Sequence, residues 1–162
     1  MKNINSVIFD LGGVIINLDT EKTVSAFSRH SNMSFRSVYE GKADQGLFDN
    51  FEKGKIETSE FYNEIRKRSQ FTGSDEDLVK AWNAMLLDVP EERLDALVEM
   101  KHNYNTYLLS NTNEIHIRAI ELELHDEHGI KHFEDYFDKI YYSCRLGMRK
   151  PDREIFELVL NE

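Results

Sequence analysis

The apolar positions of this 162-residue chain fall into two kinds of run. Short, nearly continuous runs stand at Ser6-Val7-Ile8-Phe9, Thr106-Tyr107-Leu108-Leu109 and Lys139-Ile140-Tyr141-Tyr142. Each is rich in β-branched or aromatic residues, and they end at Asp10, Ser110 and Ser143. Strands buried on both faces read this way, so the pattern predicts a parallel sheet covered by helices. After Asp10, Gly12-Gly13 predicts a tight turn and Val14-Ile15-Ile16 a second short extended piece.

Helical spacing fills the rest. Val24 and Phe27 share a face within Glu21 to Ser31, and Phe61, Tyr62 and Ile65 follow a cap at Thr58 or Ser59. Leu78, Ala81, Trp82 and Met85 recur at i, i+3, i+4 and i+7 after Ser74, a favourable N-cap. Pro90 opens a helix carrying Leu94, Leu97, Val98 and Lys101, which reaches the second strand through the polar turn His102-Asn103-Tyr104-Asn105. Ile117, Ile120, Leu122 and Leu124 mark a helix from Glu114 to His128, and Ile155, Phe156, Val159 and Leu160 mark a last one after Pro151-Asp152. The order predicts an α/β core over 1–16 and 90–162 with an all-helical insert over 17–89.

Charge narrows the partners. Thirty acidic against 20 basic residues leave a formal net charge of −10. Nucleic-acid binding needs clustered positive charge, and an anionic membrane surface needs the same, so neither is expected as a partner. An anionic substrate then needs a local trap: a metal ion, a lysine or a helix N-terminus. The single cysteine, Cys144, excludes an intrachain disulfide and fits a reducing, cytoplasmic setting. The opening MKNINSVIFD has no apolar run long enough to suggest a signal peptide or a membrane span.

Ligand sites of open α/β sheets lie beyond the carboxyl ends of the strands. Three such ends offer chemistry here: Asp10, then Ser110 with Asn111, then the segment from Ser143 to Lys150-Pro151. A carboxylate can act as a covalent nucleophile, a hydroxyl and backbone N–H groups can hold phosphate oxygens, and a lysine can balance the charge between them.

Those residues resemble the haloacid dehalogenase (HAD) superfamily of hydrolases. Phe-Asp-Leu-Gly-Gly-Val at 9–14, Leu-Ser-Asn-Thr-Asn at 109–113 and Leu-Gly-Met-Arg-Lys-Pro at 146–151 are similar to its first three motifs, in order. The insert resembles its helical cap of the first type, and Phe51-Glu52-Lys53-Gly54-Lys55-Ile56-Glu57 followed by Phe61 resembles a cap segment of the branch containing α-glucose-1-phosphatase-like enzymes. The resemblance implies a Rossmannoid fold and a Mg²⁺-dependent phosphomonoester hydrolase acting on a small phosphorylated metabolite, a sugar phosphate. It implies Asp10 as nucleophile, Lys150 as the residue positioning phosphate and nucleophile, and Ser110, Asn111 and Asn113 as substrate contacts. Mg²⁺ falls to the Asp10 carboxylate and the Gly12 backbone carbonyl. Two other readings use the same residues: a non-catalytic relative that binds phosphate or a protein partner, and a 2-haloacid dehalogenase.

Two departures from the family pattern stand out. Most superfamily phosphatases carry an Asp two residues after the nucleophile as general acid and base, where this chain has Gly12. Such help is typically worth ~10²–10⁴ in rate, so the glycine points to a better leaving group, such as the anomeric oxygen of a sugar 1-phosphate. The second departure is the fourth motif, an acidic pair on a further strand. Only 12 residues follow Lys150 and they read as one helix. The expectation is a truncated or partly represented chain whose first strand forms an open edge suited to self-association.

Other candidates read as structure. His125, His128 and His132 lack a metal-ligand pattern, Cys144 reads as a packed thiol, Arg149 as a salt-bridging residue, and Trp82 and Met85 as core of the insert.

Overall fold

The computed structural model describes residues 4–39 and 46–161. The expected core and cap spans also take in 1–3, 40–45 and 162, which lie outside the described residues. Strand β1 (Ser6–Phe9) is followed by the helices α1 (Thr20–Ser28), α2 (Phe35–Tyr39), α3 (Leu47–Glu52), α4 (Thr58–Ser69) and α5 (Asp75–Asn83). Then come α6 (Glu91–Asn103), β2 (Asn105–Ser110), α7 (Glu114–His128), a 3-10 turn at Phe133–Tyr136, β3 (Lys139–Tyr142), α8 (Ser143–Leu146) and α9 (Arg153–Leu160).

The three strands form a parallel sheet in the order β1-β2-β3. Phe9 lies opposite Leu108, and Ser110 opposite Tyr142, so the residues that follow each strand share one end of the sheet. Leu108 faces a core built with Leu11, Ile15 and Ile16, Leu94 and Leu97 of α6, and Ile117, Ile120 and Leu124 of α7. Leu109 and Tyr141 face the other way and pack with Ile155 and Val159 of α9. Alternation of side chains along a strand thus gives the sheet its two buried faces. Among the described residues β1 is an edge strand, and its Ile8 is 41% exposed.

Helices α1–α5 assemble a second core. Phe27, Phe35, Phe48, Phe51, Phe61, Ile65, Leu78 and Trp82 are all buried in it, joined by Ile115 of α7. Phe51 and Phe61 stack at 3.9 Å between centroids, and Phe48 stacks on Trp82 at 5.5 Å. Aromatic side chains bury the most area per residue, which is how five short helices hold together. Local signals fix the helix starts. Ser74 and Asp77 form a reciprocal capping box on α5, and the Asp19 side chain caps α1.

Several expectations differ from the structure for local reasons. Val14-Ile15-Ile16 is not a strand. The Leu11 carbonyl accepts the N–H groups of Ile15 and Ile16, and Gly13, at φ +75°, turns the chain. α6 continues through His102-Asn103, where a polar turn is expected, and the short helix α8 opens the segment that leads from β3 to Lys150. Leu122 is 64% exposed because it sits two residues, about 200°, from both Ile120 and Leu124. Val98, Phe156 and Leu160 are exposed beside buried neighbours. No helix among the described residues is long and apolar enough to cross a membrane.

Candidate active site

The three strand ends meet around one ion pair. Asp10 follows β1, and its Oδ1 accepts the Leu11 N–H at 2.7 Å, a short-range turn contact that fixes the carboxylate. Its Oδ2 lies 2.8 Å from the Lys150 Nζ. That ammonium also donates to the carbonyl of Leu109, inside β2, at 2.9 Å. Asn111, just past β2, clamps the backbone of the same lysine. Its Oδ1 accepts from the Lys150 N–H and its Nδ2 donates to the Lys150 carbonyl, each at 2.8 Å. Lys150 is thus held at backbone and side chain. Half of the Asp10 side chain stays exposed (47%), against 22% for Lys150.

Ser110 is buried at the end of β2 and lines a cavity of about 170 Å³ with Gly12, Asn111 and Thr112. Leu18, Thr20, Tyr39, Glu52, Trp82 and Met85 also line it. Thr112 is anchored by Ser143, whose hydroxyl accepts the Thr112 N–H at 2.9 Å and donates to its carbonyl at 3.1 Å. A larger, open hollow of about 580 Å³, lined by Val98, Lys101 and Tyr136 among others, contains none of the motif residues.

Asn113 takes a different place from the expected substrate contact. It is buried and is the N-cap of α7, its Oδ1 accepting the His116 N–H at 3.1 Å and the Trp82 indole N–H at 3.4 Å. Its Nδ2 lies 3.3 Å from His116 Nδ1, and it is absent from the cavity wall. Its amide is spent inside the protein, tying α7 to α5.

His116 is a cavity residue that the sequence pattern does not single out. Its ring stacks on Trp82 at 5.0 Å, and its Nε2 donates to the Trp82 carbonyl at 3.3 Å. With Nδ1 accepting from Asn113, the ring is the neutral tautomer bearing its proton on Nε2. Burial pushes its pKa down to about 4.

Gly12 has a tight neighbour. A Cβ there would lie 2.6 Å from Leu18 Cδ1, the end of a flexible side chain. Arg149, next to Lys150, reaches the insert instead of the cavity. Its Nη1 lies 2.9 Å from Glu52 Oε2 and 3.6 Å from Asp49 Oδ1. Lys53 bridges the same helix to the core, 3.1 Å from Asp49 and 2.9 Å from Asp152. The bond to Lys53 holds the Asp152 carboxyl below its usual range and raises the lysine. Beside these pairs Gly54, at φ +61°, passes so close to the Cys144 carbonyl that a Cβ would lie 2.0 Å from its oxygen. Cys144 is a packed thiol, pushed up to about 12 by burial.

Among the described residues no group of three His, Cys, Asp or Glu side chains is arranged to hold a metal. Asp10 follows β1 and Gly12 lines the cavity, so a carboxylate and a backbone carbonyl, both hard oxygen donors, stand two residues apart at this strand end. That set suits Mg²⁺, which binds through one or two carboxylates plus substrate phosphate and keeps several waters.

The architecture and the strand-end constellation together define a hydrolase class, and the comparisons agree. The chain belongs to the haloacid dehalogenase-like hydrolase family, whose model matches residues 4–162. It is 31% identical, over 98% of its length and 77% of the relative's, to the D-ribitol-5-phosphate phosphatase of Bacteroides thetaiotaomicron. Among solved structures it resembles a HAD family enzyme of Bacteroides thetaiotaomicron in a magnesium complex. There the TM-score is 0.87, with 38% identity covering 99% of this chain and 78% of that one. A predicted HAD-like hydrolase from Porphyromonas gingivalis follows at TM-score 0.80 and 27% identity, covering 98% and 76%.

Proposed function

We propose that this chain is a Mg²⁺-dependent phosphomonoester hydrolase that works through an aspartyl-phosphate on a small sugar or sugar-alcohol phosphate. The observation that carries this reading is the Asp10–Lys150 pair at 2.8 Å, with the lysine pinned from both sides by Leu109 and Asn111. An ammonium has three donors. Two are used here on Asp10 and Leu109, which leaves one for a phosphoryl oxygen. Ser110, which lines the cavity beside them, supplies a further donor at the same strand end.

In the first step an Asp10 carboxylate oxygen bonds to phosphorus as the ester P–O bond breaks, and the alcohol leaves with a proton drawn from water. In the second step water attacks the phosphorus of the acyl phosphate, releasing inorganic phosphate and restoring the Asp10 carboxylate. Lys150 keeps Asp10 oriented and offsets phosphate charge throughout. Asp10 and the Gly12 carbonyl would hold Mg²⁺, which would supply charge neutralisation at the transferring phosphoryl group. His116 takes no part in proton transfer, because its one N–H is committed to the Trp82 carbonyl.

The insert 17–89 serves as the cap that encloses the leaving group. The substrate class follows the D-ribitol-5-phosphate phosphatase relative, whose named substrate is a primary alkyl phosphate. The anomeric leaving group expected from Gly12 is the competing member of the same substrate panel. Phosphate release from a panel of sugar and sugar-alcohol phosphates, with and without Mg²⁺ and with Asp10→Asn as control, tests the reading. Binding without release would favour the non-catalytic alternative.

A further inference from the structure

Lys150 stands in a turn that the insert holds at both ends. The Asp152 N–H donates to the Arg149 carbonyl at 2.9 Å, so 149–152 is a β-turn with Lys150 and Pro151 at its centre. At its first end Arg149 Nη1 lies 2.9 Å from Glu52 Oε2 and 3.6 Å from Asp49 Oδ1. At its far end Asp152 Oδ2 lies 2.9 Å from the Nζ of Lys53, which caps α3. The charges cross: the turn offers a cation and then an anion, and α3 answers with carboxylates and then an ammonium. One seating of α3 therefore satisfies both ends. Lys53 and Arg149 are only 15% and 27% exposed, so salt screens these pairs less than fully solvated ones. Gly54, against the Cys144 carbonyl, adds a backbone contact on the same side. α3 is also fixed within the insert, because Leu47, Phe48 and Phe51 are buried in its aromatic core. Arg149 reaches inward as well. Its Nε donates to the Lys150 carbonyl at 3.3 Å, the carbonyl that also accepts from Asn111 Nδ2.

We propose that Arg149 and the Lys53–Asp152 pair are positioning residues: by seating α3 on the 149–152 turn, the insert sets the place of the Lys150 ammonium beside Asp10. The effect on rate rests on the phosphatase reading, whereas the mechanical link does not. A guanidinium presents its donors in a rigid fork, so Arg149 can hold α3 and the Lys150 carbonyl at once. When α3 leaves the turn, the turn keeps its Asn111 clamp and loses its grip at both ends. A shift of about 1 Å in a group that orients the reaction can cost about 10²-fold in rate, so a loosened turn is felt at Asp10 without any new contact to substrate.

The test pairs amide hydrogen exchange, read residue by residue by NMR, with the kinetics of phosphate release from D-ribitol 5-phosphate in Mg²⁺. The reporter is the Lys150 N–H, which donates to Asn111 Oδ1. Arg149→Ala and Lys53→Met are each expected to speed its exchange at least about tenfold, with amides of β2 and α7 changed less than about threefold. In both variants kcat should fall about tenfold to a hundredfold while KM moves less than about threefold. Asp152→Asn breaks the same pair as Lys53→Met, so the double variant should be no worse than either single one. Arg153→Ala removes the neighbouring Arg153–Glu157 pair, which does not touch the turn, and should leave exchange and kcat unchanged. Unchanged Lys150 exchange in Arg149→Ala, exchange quickened equally throughout the chain, the same change with Arg153→Ala, additive losses in the double variant, or a loosened turn with kcat intact would each overturn the proposal. Exchange quickened at the turn alone, in a chain that releases no phosphate from any substrate of the panel, would support the link between α3 and Lys150 while removing the hydrolysis reading.

Discussion

The Asn111 amide spans the Lys150 backbone with two 2.8 Å hydrogen bonds, one given and one received. This pairing brings a residue after β2 and a residue 39 positions later into one rigid unit, and it aims the lysine at Asp10. Asn111→Ala should therefore cost about 1–3 kcal/mol of stability, because partly buried groups of the Lys150 backbone lose their partners. Phosphate release should fall by about tenfold to a hundredfold through misplacement of the lysine. Urea denaturation and steady-state kinetics check the two effects. Unchanged kinetics would show that Lys150 holds its position without the clamp.

Lys150 itself is predicted to matter more to rate than to folding. Its ammonium sits between Asp10 and the Leu109 carbonyl, so Lys150→Met removes both a charge and a donor. A loss of about 10²–10³ in kcat is expected, in the range seen when one preorganised donor is removed. A change confined to KM would move Lys150 from the chemical step to substrate capture.

Gly54 makes a packing prediction that is independent of chemistry. Its positive φ and the Cys144 oxygen 2.0 Å from a would-be Cβ leave no room for a side chain. Gly54→Ala should destabilise by about 2 kcal/mol or more, since both strain and a backbone clash are introduced. Gly129, at φ +67° with nothing within 4 Å of its would-be Cβ, provides the comparison. Gly129→Ala should cost only about 1 kcal/mol. Equal costs, measured by denaturant midpoints, would contradict the close approach of α3 to α8.

His116 couples stability to pH. Burial lowers its pKa from 6.5 to about 4 in the folded chain, so the unfolded chain binds more protons between those values. Stability should then be full above about pH 6.5 and fall as pH drops toward 4, by up to roughly 3 kcal/mol from this residue. His116→Gln should flatten that part of the stability–pH curve relative to the parent. A parallel curve for the variant would show that the ring is not buried in its neutral form.

Much of this was legible from local pattern alone. The strands ending at Asp10 and Ser110 lie where apolar runs give way to polar residues, and Ser74 starts α5 by a capping box that the sequence spells out. Lys150 depended on motif resemblance, because a lysine before a proline has no local signature. Glu52 and His116 were not legible as cavity residues. Each sits in a helical pattern that fits a solvent face or a core equally well, and only the docking of α3 and α7 places them around Ser110. Asn113 could be read as a ligand contact or a helix cap, and the geometry that decides between them is the tertiary contact with Trp82. Val98, Leu122, Phe156 and Leu160 show the same limit, since apolar composition does not say which side of a helix is covered.

The central claim is that Asp10 carries the phosphoryl group. Acid-quenched samples of the chain, mixed with D-ribitol 5-phosphate and Mg²⁺, should yield an Asp10-containing peptide heavier by one phosphoryl group, with none in the Asp10→Asn chain. Phosphate release without any label on Asp10, or label that persists in Asp10→Asn, would contradict the account.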